Sequence, residues 1–252
     1  MNFKSLLMII SMKRSILVSI VFLVIVNTGC AQKQSKKQES DYSFKQGSRD
    51  GIGKWYFGRE IAHVMGYQGI SWLERSEREK EENTSTLLEN MDIKQTDVVA
   101  DIGAGSGYHV FKIAPIADDG LIYAIDIQDE MLSALKSKKE NLNYDNVKIV
   151  KGSEKSINLM EHSVDKILMV DVYHEFNFPK EMLASMKKAL RPDGKIFLIE
   201  YRGEDPSVPI KKLHKMTEKQ AIKEMAGNGF ALQENIGNLP WQHCMVFVKS
   251  DK

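Results

Sequence analysis

Residues 98–108, "VVADIGAGSGY", decide how the chain is read. An apolar run passes straight into three alternating glycines, Gly103, Gly105 and Gly107. A strand that ends in such a loop is the usual cradle of a nucleotide. Gly103 permits the sharp strand-to-helix turn, and Gly105 lets backbone come close to a ligand. The helix expected next would offer free N–H groups and a positive end to an anionic ligand group. A dinucleotide fingerprint reads G-x-G-x-x-G, but here the third glycine comes one residue early and Tyr108 takes its place. That spacing disfavours a nicotinamide-dependent reductase.

Working outward, strands and helices alternate from Asp97 onward, the pattern of a parallel α/β sheet. Near-continuous apolar runs at 97–102, 121–127, 147–151, 164–170 and 196–201 suit strands buried on both faces. "RPDGK" (191–195) reads as a turn into the last of these. Pro179 opens a helix on which Met182, Leu183, Met186, Ala189 and Leu190 recur at helical spacing. Thr217 and Gln220 form a capping box that opens another, closed by "GNG" at 227–229. Two final strands, near 230–235 and 243–249, have no helix between them and are expected to pair antiparallel. The charged stretch "WLERSEREKEE" leads us to expect a helical extension over 49–96, packed beside the sheet and helping to form a lid, with Arg75 and Arg78 paired to Glu77, Glu79 and their neighbours.

Asp126 ends the second run, 23 residues after Gly103, where an acid accepts hydrogen bonds from ribose hydroxyls. The G-x-G-x-G loop preceded by Asp101 resembles motif I of class I S-adenosylmethionine (SAM)-dependent methyltransferases. "KGSEKS" (151–156), "MVDVYHEF" (169–176) and "LRPDGKIFLIEY" (190–201) extend the resemblance, which covers 97–201. The flanks at 58–79 and 200–221 resemble a group of bacterial, often exported, members. The resemblance implies a Rossmann-like, doubly wound sheet of seven strands with one antiparallel, occupying 97–252, and SAM as cofactor. It assigns Asp101, Gly103, Ala104, Gly105, Gly107, Asp126 and Ile127 to the cofactor, with Ser153 and Glu154 near adenine and Asp171 near the methionyl amine.

Methyl transfer from a sulfonium chiefly requires donor and acceptor to be positioned, and an acceptor that must lose a proton needs a base. His174 is the expected base, with Asp171, Tyr173 and Glu175 beside it; Glu175 is the expected catalytic carboxylate. Tyr201, Arg202, Glu204 and Asp205 follow the fifth strand, where ligands of open α/β sheets gather. "KKLHK" (211–215) reads as a solvated basic face. The six histidines show no H-x-x-x-H spacing, and no metal ligands are expected. The acceptor is expected to be a small molecule or lipid-like. The alternative is an envelope lipoprotein that binds SAM or a nucleoside without catalysis.

The beginning of the chain reads separately. "MKRSILVSIVFLVIVNTGC", starting at Met12, has a basic start, an apolar run from Ile16 to Val26 and small residues before Cys30. That run suits a secretory signal over 1–29 better than a membrane span. "VNTGC" resembles a bacterial lipoprotein box, although Asn27 stands where an aliphatic residue is usual. A lipidated Cys30 would anchor the chain in the cell envelope, facing the periplasm; an uncleaved anchor would leave it on the cytoplasmic side. Residues 30–48, rich in Gln, Lys and Ser, are expected to form a flexible tether. Lys+Arg 35 against Asp+Glu 34 gives a net charge of +1, and removing 1–29 leaves −2. Neither value is a nucleic-acid footprint. Only Cys30 and Cys244 are present, so no disulfide framework is expected, and Cys244 reads as a small core residue.

Overall fold

A computed structural model describes residues 41–250. The expected signal at 1–29, the Cys30 expected to carry lipid and most of the expected tether lie outside the described residues.

The first described segment corrects the reading of 49–96. It begins with three antiparallel strands, β1 (Tyr42–Phe44), β2 (Gly51–Tyr56) and β3 (Arg59–Ala62). β1 also lies within the expected tether. The hairpin between β2 and β3 turns on Phe57 and Gly58, with φ of 48° and 92°. Two left-handed residues give the twist that matches a tight antiparallel hairpin. Helices follow only later, as α1 (Ile70–Leu73), α2 (Arg78–Glu82) and α3 (Thr84–Met91). Arg75, between α1 and α2, pairs with Glu81 and Glu82, and Arg78 pairs with Glu82; the partners are neighbours of Glu77 and Glu79, not those two residues.

The seven-stranded sheet is as expected. Its strands are β4 (Val98–Ile102), β5 (Leu121–Asp126), β6 (Val147–Lys151), β7 (Val164–Val170), β8 (Leu190–Tyr201), β9 (Phe230–Asn235) and β10 (Gln242–Lys249). They lie in the order β6-β5-β4-β7-β8-β10-β9, and β10 runs antiparallel to both its neighbours. The turn expected at 191–195 sits inside β8 as a break in register: Val164 pairs with Leu190, but Lys166 pairs with Lys195.

Successive strand residues face opposite sides of the sheet. Ala100, Ile167 and Ile196 therefore join one core with Leu183 and Met186 of α6 (Pro179–Ala189) and Met225 of α7 (Glu218–Ala226). Val99, Leu168 and Phe197 join the other, with Met91, with Val110 and Ile113 of the single-turn α4 (Val110–Ile113), and with Leu132 and Leu135 of α5 (Asp129–Leu142). Pro179 stands in the first turn of α6, where its missing N–H costs nothing. Thr217 accepts from the Gln220 N–H, capping α7 as expected. Cys244 is buried in the second core, and burial pushes its thiol up to about 11.

The N-terminal sheet is tied to this domain by a buried ion pair. Arg59 of β3 donates to both carboxylate oxygens of Glu224 on α7, at 2.7 and 3.0 Å, and to the His174 carbonyl at 2.9 Å. Among the described residues no helix is long and apolar enough to cross a membrane.

Candidate active site

The order of strands reverses between β4 and β7, and ligands of open α/β sheets bind outside the carboxyl ends of strands at that point. The glycine loop leaves β4 there. Gly103, Gly105 and Gly107 all have left-handed φ, +73°, +54° and +77°. They do different work. A Cβ on Gly105 would stand 2.7 Å from the Leu73 side chain, on the cavity side. A Cβ on Gly107 would meet Phe111 and Leu135 of the core. The helix expected after the loop is a single turn, Val110–Ile113, because the chain spends residues 103–109 on the loop itself.

Asp126 locks the loop to the end of β5. One carboxylate oxygen accepts from the Gly105 N–H at 3.0 Å, and the other from the Gln128 N–H at 2.9 Å. Each oxygen keeps a lone pair for another donor. Burial raises the Asp126 carboxyl, and the N–H bonds oppose that rise.

A cavity of about 430 Å³ opens beside these residues. Its lining includes Gly103, Gly105, Asp126, Ile127, Ser153 and Glu154, and also His174, Glu175 and His214. Apolar walls are supplied by Met65, Trp72, Phe176, Met182, Pro209 and Ile210. The structure thus brings most of the sequence-predicted site residues to one cavity. Asp101, Ala104 and Gly107 are exceptions, absent from its lining. Ala104 and Gly107 pack into the core behind the loop. Asp101 is buried, its Oδ2 has no hydrogen-bond partner, and burial and Asp126 push it up to about 7 against the opposing pull of Arg78.

Asp171 follows β7 with φ of +50°, a conformation an L-residue adopts at a cost of order 1–3 kcal/mol when its surroundings hold it there. Its Oδ2 accepts from Gln242 at 2.6 Å, while its buried Oδ1 has no partner. Burial first, then Glu82 and Glu200, raise its carboxyl well above the usual range.

His174 lies on a 3-10 turn, Tyr173–Glu175, and is 1% exposed. Its Nδ1 is 2.6 Å from Glu200 Oε2, and its Nε2 is 3.1 Å from His214 Nδ1. Glu200 also accepts the His174 backbone N–H at 3.2 Å. Sequence reasoning missed both partners. Glu200 sits within the apolar run of β8, and an acid in a strand buried on both faces was the available signal. His214 belongs to "KKLHK", which reads as a solvated face. Lys211 does pair outward with Asp50, but a 3-10 turn over Lys212–His214 brings the histidine inward.

Of the four residues expected after β8, only Tyr201 reaches the cavity, and its hydroxyl donates to Glu82. Arg202 donates to the Leu239 and Pro240 carbonyls, Glu204 meets His243 and Asp205 caps Ser207. They hold the loop together.

A doubly wound sheet with one antiparallel strand, a glycine loop at its switch point and an acid ending the second strand defines a class I methyltransferase fold. Comparison with known proteins agrees. Residues 93–245 match the family described as "Methyltransferase domain". The chain belongs to this methyltransferase family, a class whose methyl donor is SAM. It is 21% identical over 164 residues to the uncharacterized methyltransferase YcgJ of Bacillus subtilis, a match covering 64% of each chain. The chain thus spans under two thirds of that relative's length. Among solved structures, a SAM-dependent methyltransferase from Aquifex aeolicus superposes with a TM-score of 0.69 at 22% identity, over 73% of this chain and 98% of that one. The crystal structure of YcgJ superposes with a TM-score of 0.53 at 16% identity, over 67% and 98%.

Proposed function

We propose that this chain transfers the methyl group of SAM to a small, largely apolar or lipid-like acceptor bound between the glycine loop and the His174–His214 pair. One observation carries the reading: one cavity is lined both by the loop and Asp126 and by His174 and His214, with apolar side chains among its walls.

The residues present fit the donor. Asp126 has acceptor capacity left for ribose hydroxyls. The partnerless Oδ1 of Asp171 suits the methionyl ammonium, since a buried acceptor without a donor is costly. In this reading the missing side chain at Gly105 leaves backbone open to the methionyl chain, and Ser153 and Glu154, which line the same cavity, would meet adenine. When bound, SAM supplies an electrophilic methyl on a sulfonium that becomes a neutral thioether as the methyl leaves.

At the far end this chain's own groups hold and accept a proton. An oxygen or nitrogen acceptor gives up its proton to the His174–His214 pair as its new bond to the methyl carbon forms. Glu200 holds His174 in place from behind, and Glu175 closes the site beside both rings. The apolar walls exclude water and select an acceptor with little charge.

Residues 12–30 support an envelope location with Cys30 as the lipid anchor. Mass spectrometry of the purified envelope protein tests this: a lipidated N-terminal Cys30 is expected, and an intact Met1 or Met12 terminus would favour an uncleaved anchor.

The function is tested by incubating the full chain with methyl-labelled SAM and separate lipid, quinone and small-metabolite extracts. Label in an apolar product, with S-adenosylhomocysteine formed in equal amount, is the expected result. Tight SAM binding with no label transferred to any fraction would leave a binding protein instead.

A further inference from the structure

The histidine pair has a third member that a hydrogen bond between two rings does not explain. Glu175 Oε1 lies 3.8 Å from His174 Nε2 and 3.4 Å from His214 Nδ1, while those two nitrogens are 3.1 Å apart. Glu200 is an acceptor-only carboxylate when ionised, so its contact with His174 places a proton on Nδ1. His174 Nε2 then turns its lone pair toward the same point as the Glu175 oxygen. Two electron-rich atoms converge there with one ring proton, that of His214, to share between them.

We propose that His174, Glu175 and His214 bind a divalent cation of the zinc class. Such an ion binds nitrogen and oxygen ligands at about 2.0–2.2 Å, and tetrahedral geometry then sets ligand atoms about 3.3–3.6 Å apart. The three separations observed bracket that range. Two imidazoles and one carboxylate, with a fourth position open, make the ligand count of a catalytic rather than a structural zinc site. The open position faces the cavity that all three residues line.

The surroundings are those a metal site requires. The bond from His174 Nδ1 to Glu200 is the outer carboxylate contact that fixes the tautomer and aims the metal-facing nitrogen. Glu175 Oε1 is held by the Met65 N–H at 3.1 Å. His174 and Glu175 are buried, and the His214 side chain is 22% exposed, which leaves an entry path. No spacing in the sequence reveals the set, because two ligands lie on one 3-10 turn and the third on another, about forty residues on.

This inference rests on the cavity being the acceptor site. It deepens that reading: in the ion-loaded protein an oxygen, nitrogen or thiol acceptor would coordinate the ion and release its proton to solvent before taking the methyl group, and proton acceptance by the two rings describes the ion-free form.

The test uses full-length protein stripped with a chelator and titrated with zinc chloride by calorimetry, with thermal melting alongside. One zinc per chain and a raised melting temperature are expected. His214→Ala and Glu175→Gln should each weaken binding by 100-fold or more, and Glu200→Gln by about 10–100-fold. His162→Ala, away from the cavity, should leave it unchanged. Circular dichroism shows that each variant is folded, and cobalt loading gives an independent spectrum of tetrahedral coordination. No zinc binding by folded wild type, or binding that both His214→Ala and Glu175→Gln leave intact, overturns the proposal. Methyl transfer by an ion-free protein that ignores zinc would remove this inference and keep the functional reading. Zinc binding at these residues without methyl transfer to any acceptor would do the reverse.

Discussion

Glu200 Oε2 and His174 Nδ1 stand 2.6 Å apart, with the glutamate fully buried and the histidine nearly so. Glu200 lies in β8 and His174 in the connection that follows β7, 26 residues apart in sequence, and they meet because β7 and β8 are neighbours. A buried carboxylate in that position dictates which ring nitrogen faces the cavity.

Glu200→Gln keeps the shape but removes the charge that fixes the ring. Turnover should fall by about 10–100-fold, the scale of losing an outer carboxylate partner, with SAM affinity unchanged. Calorimetric SAM titration beside single-turnover rates checks the split. Equal losses in both would mean that the site has collapsed rather than lost its orientation.

Asp126→Ala should weaken SAM binding by about 10–100-fold, since hydrogen bonds to a charged group are each worth about 1.5–3 kcal/mol. The same change frees the Gly105 and Gln128 N–H groups, so Asp126→Asn is the fairer companion. It retains one acceptor oxygen and should lose less. SAM affinity unchanged in a folded Asp126→Ala protein would end the ribose assignment.

The buried Arg59–Glu224 pair should be costly to break from one side. Glu224→Ala leaves Arg59 buried and uncompensated, and deprives the Tyr173 hydroxyl of its acceptor. Urea unfolding should show a loss of about 3–5 kcal/mol. Because Arg59 also holds the His174 carbonyl, turnover in the folded fraction should drop as well.

Asp101 gives a pH signature. Its carboxyl is pushed up to about 7 from 3.8, so between those values the folded chain holds a proton that the unfolded chain releases. Stability from this group is therefore fully present below the lower value and is lost as pH rises toward 7. Asp101→Asn should flatten that part of the wild-type profile and gain about 1–3 kcal/mol at pH 8. Denaturant unfolding at pH 4, 6 and 8 measures it; parallel profiles would mean Asp101 titrates as an ordinary surface acid.

Much of the sheet was legible because strands buried on both faces must be largely apolar, as 98–102, 121–126 and 164–170 are; β6 at the sheet edge, with Lys148 and Lys151 exposed, shows only a short apolar run. The glycine loop and Asp126 were legible because their chemistry is local, a turn and a strand end. The N-terminal sheet was not: its strands are short, glycine-rich and only weakly alternating, and the charged stretch after them dominates the reading. Glu200 and His214 were hidden for a different reason. Each looks ordinary in its own segment and acquires a role only from a partner brought close by sheet order. Asp101, Ala104 and Gly107 share the loop's pattern yet support it from behind, a distinction that spacing alone does not make.

The central claim is that one end of the cavity holds SAM and the other activates the acceptor. The measurement that tests it most directly is SAM affinity and methyl-transfer rate on one acceptor, for wild type and His174→Asn. The asparagine amide can still donate to Glu200 but cannot accept a proton or occupy the position of Nε2. Transfer should fall by about 10²–10⁴ while SAM affinity stays within a few-fold. Full transfer by a folded His174→Asn protein would contradict the account.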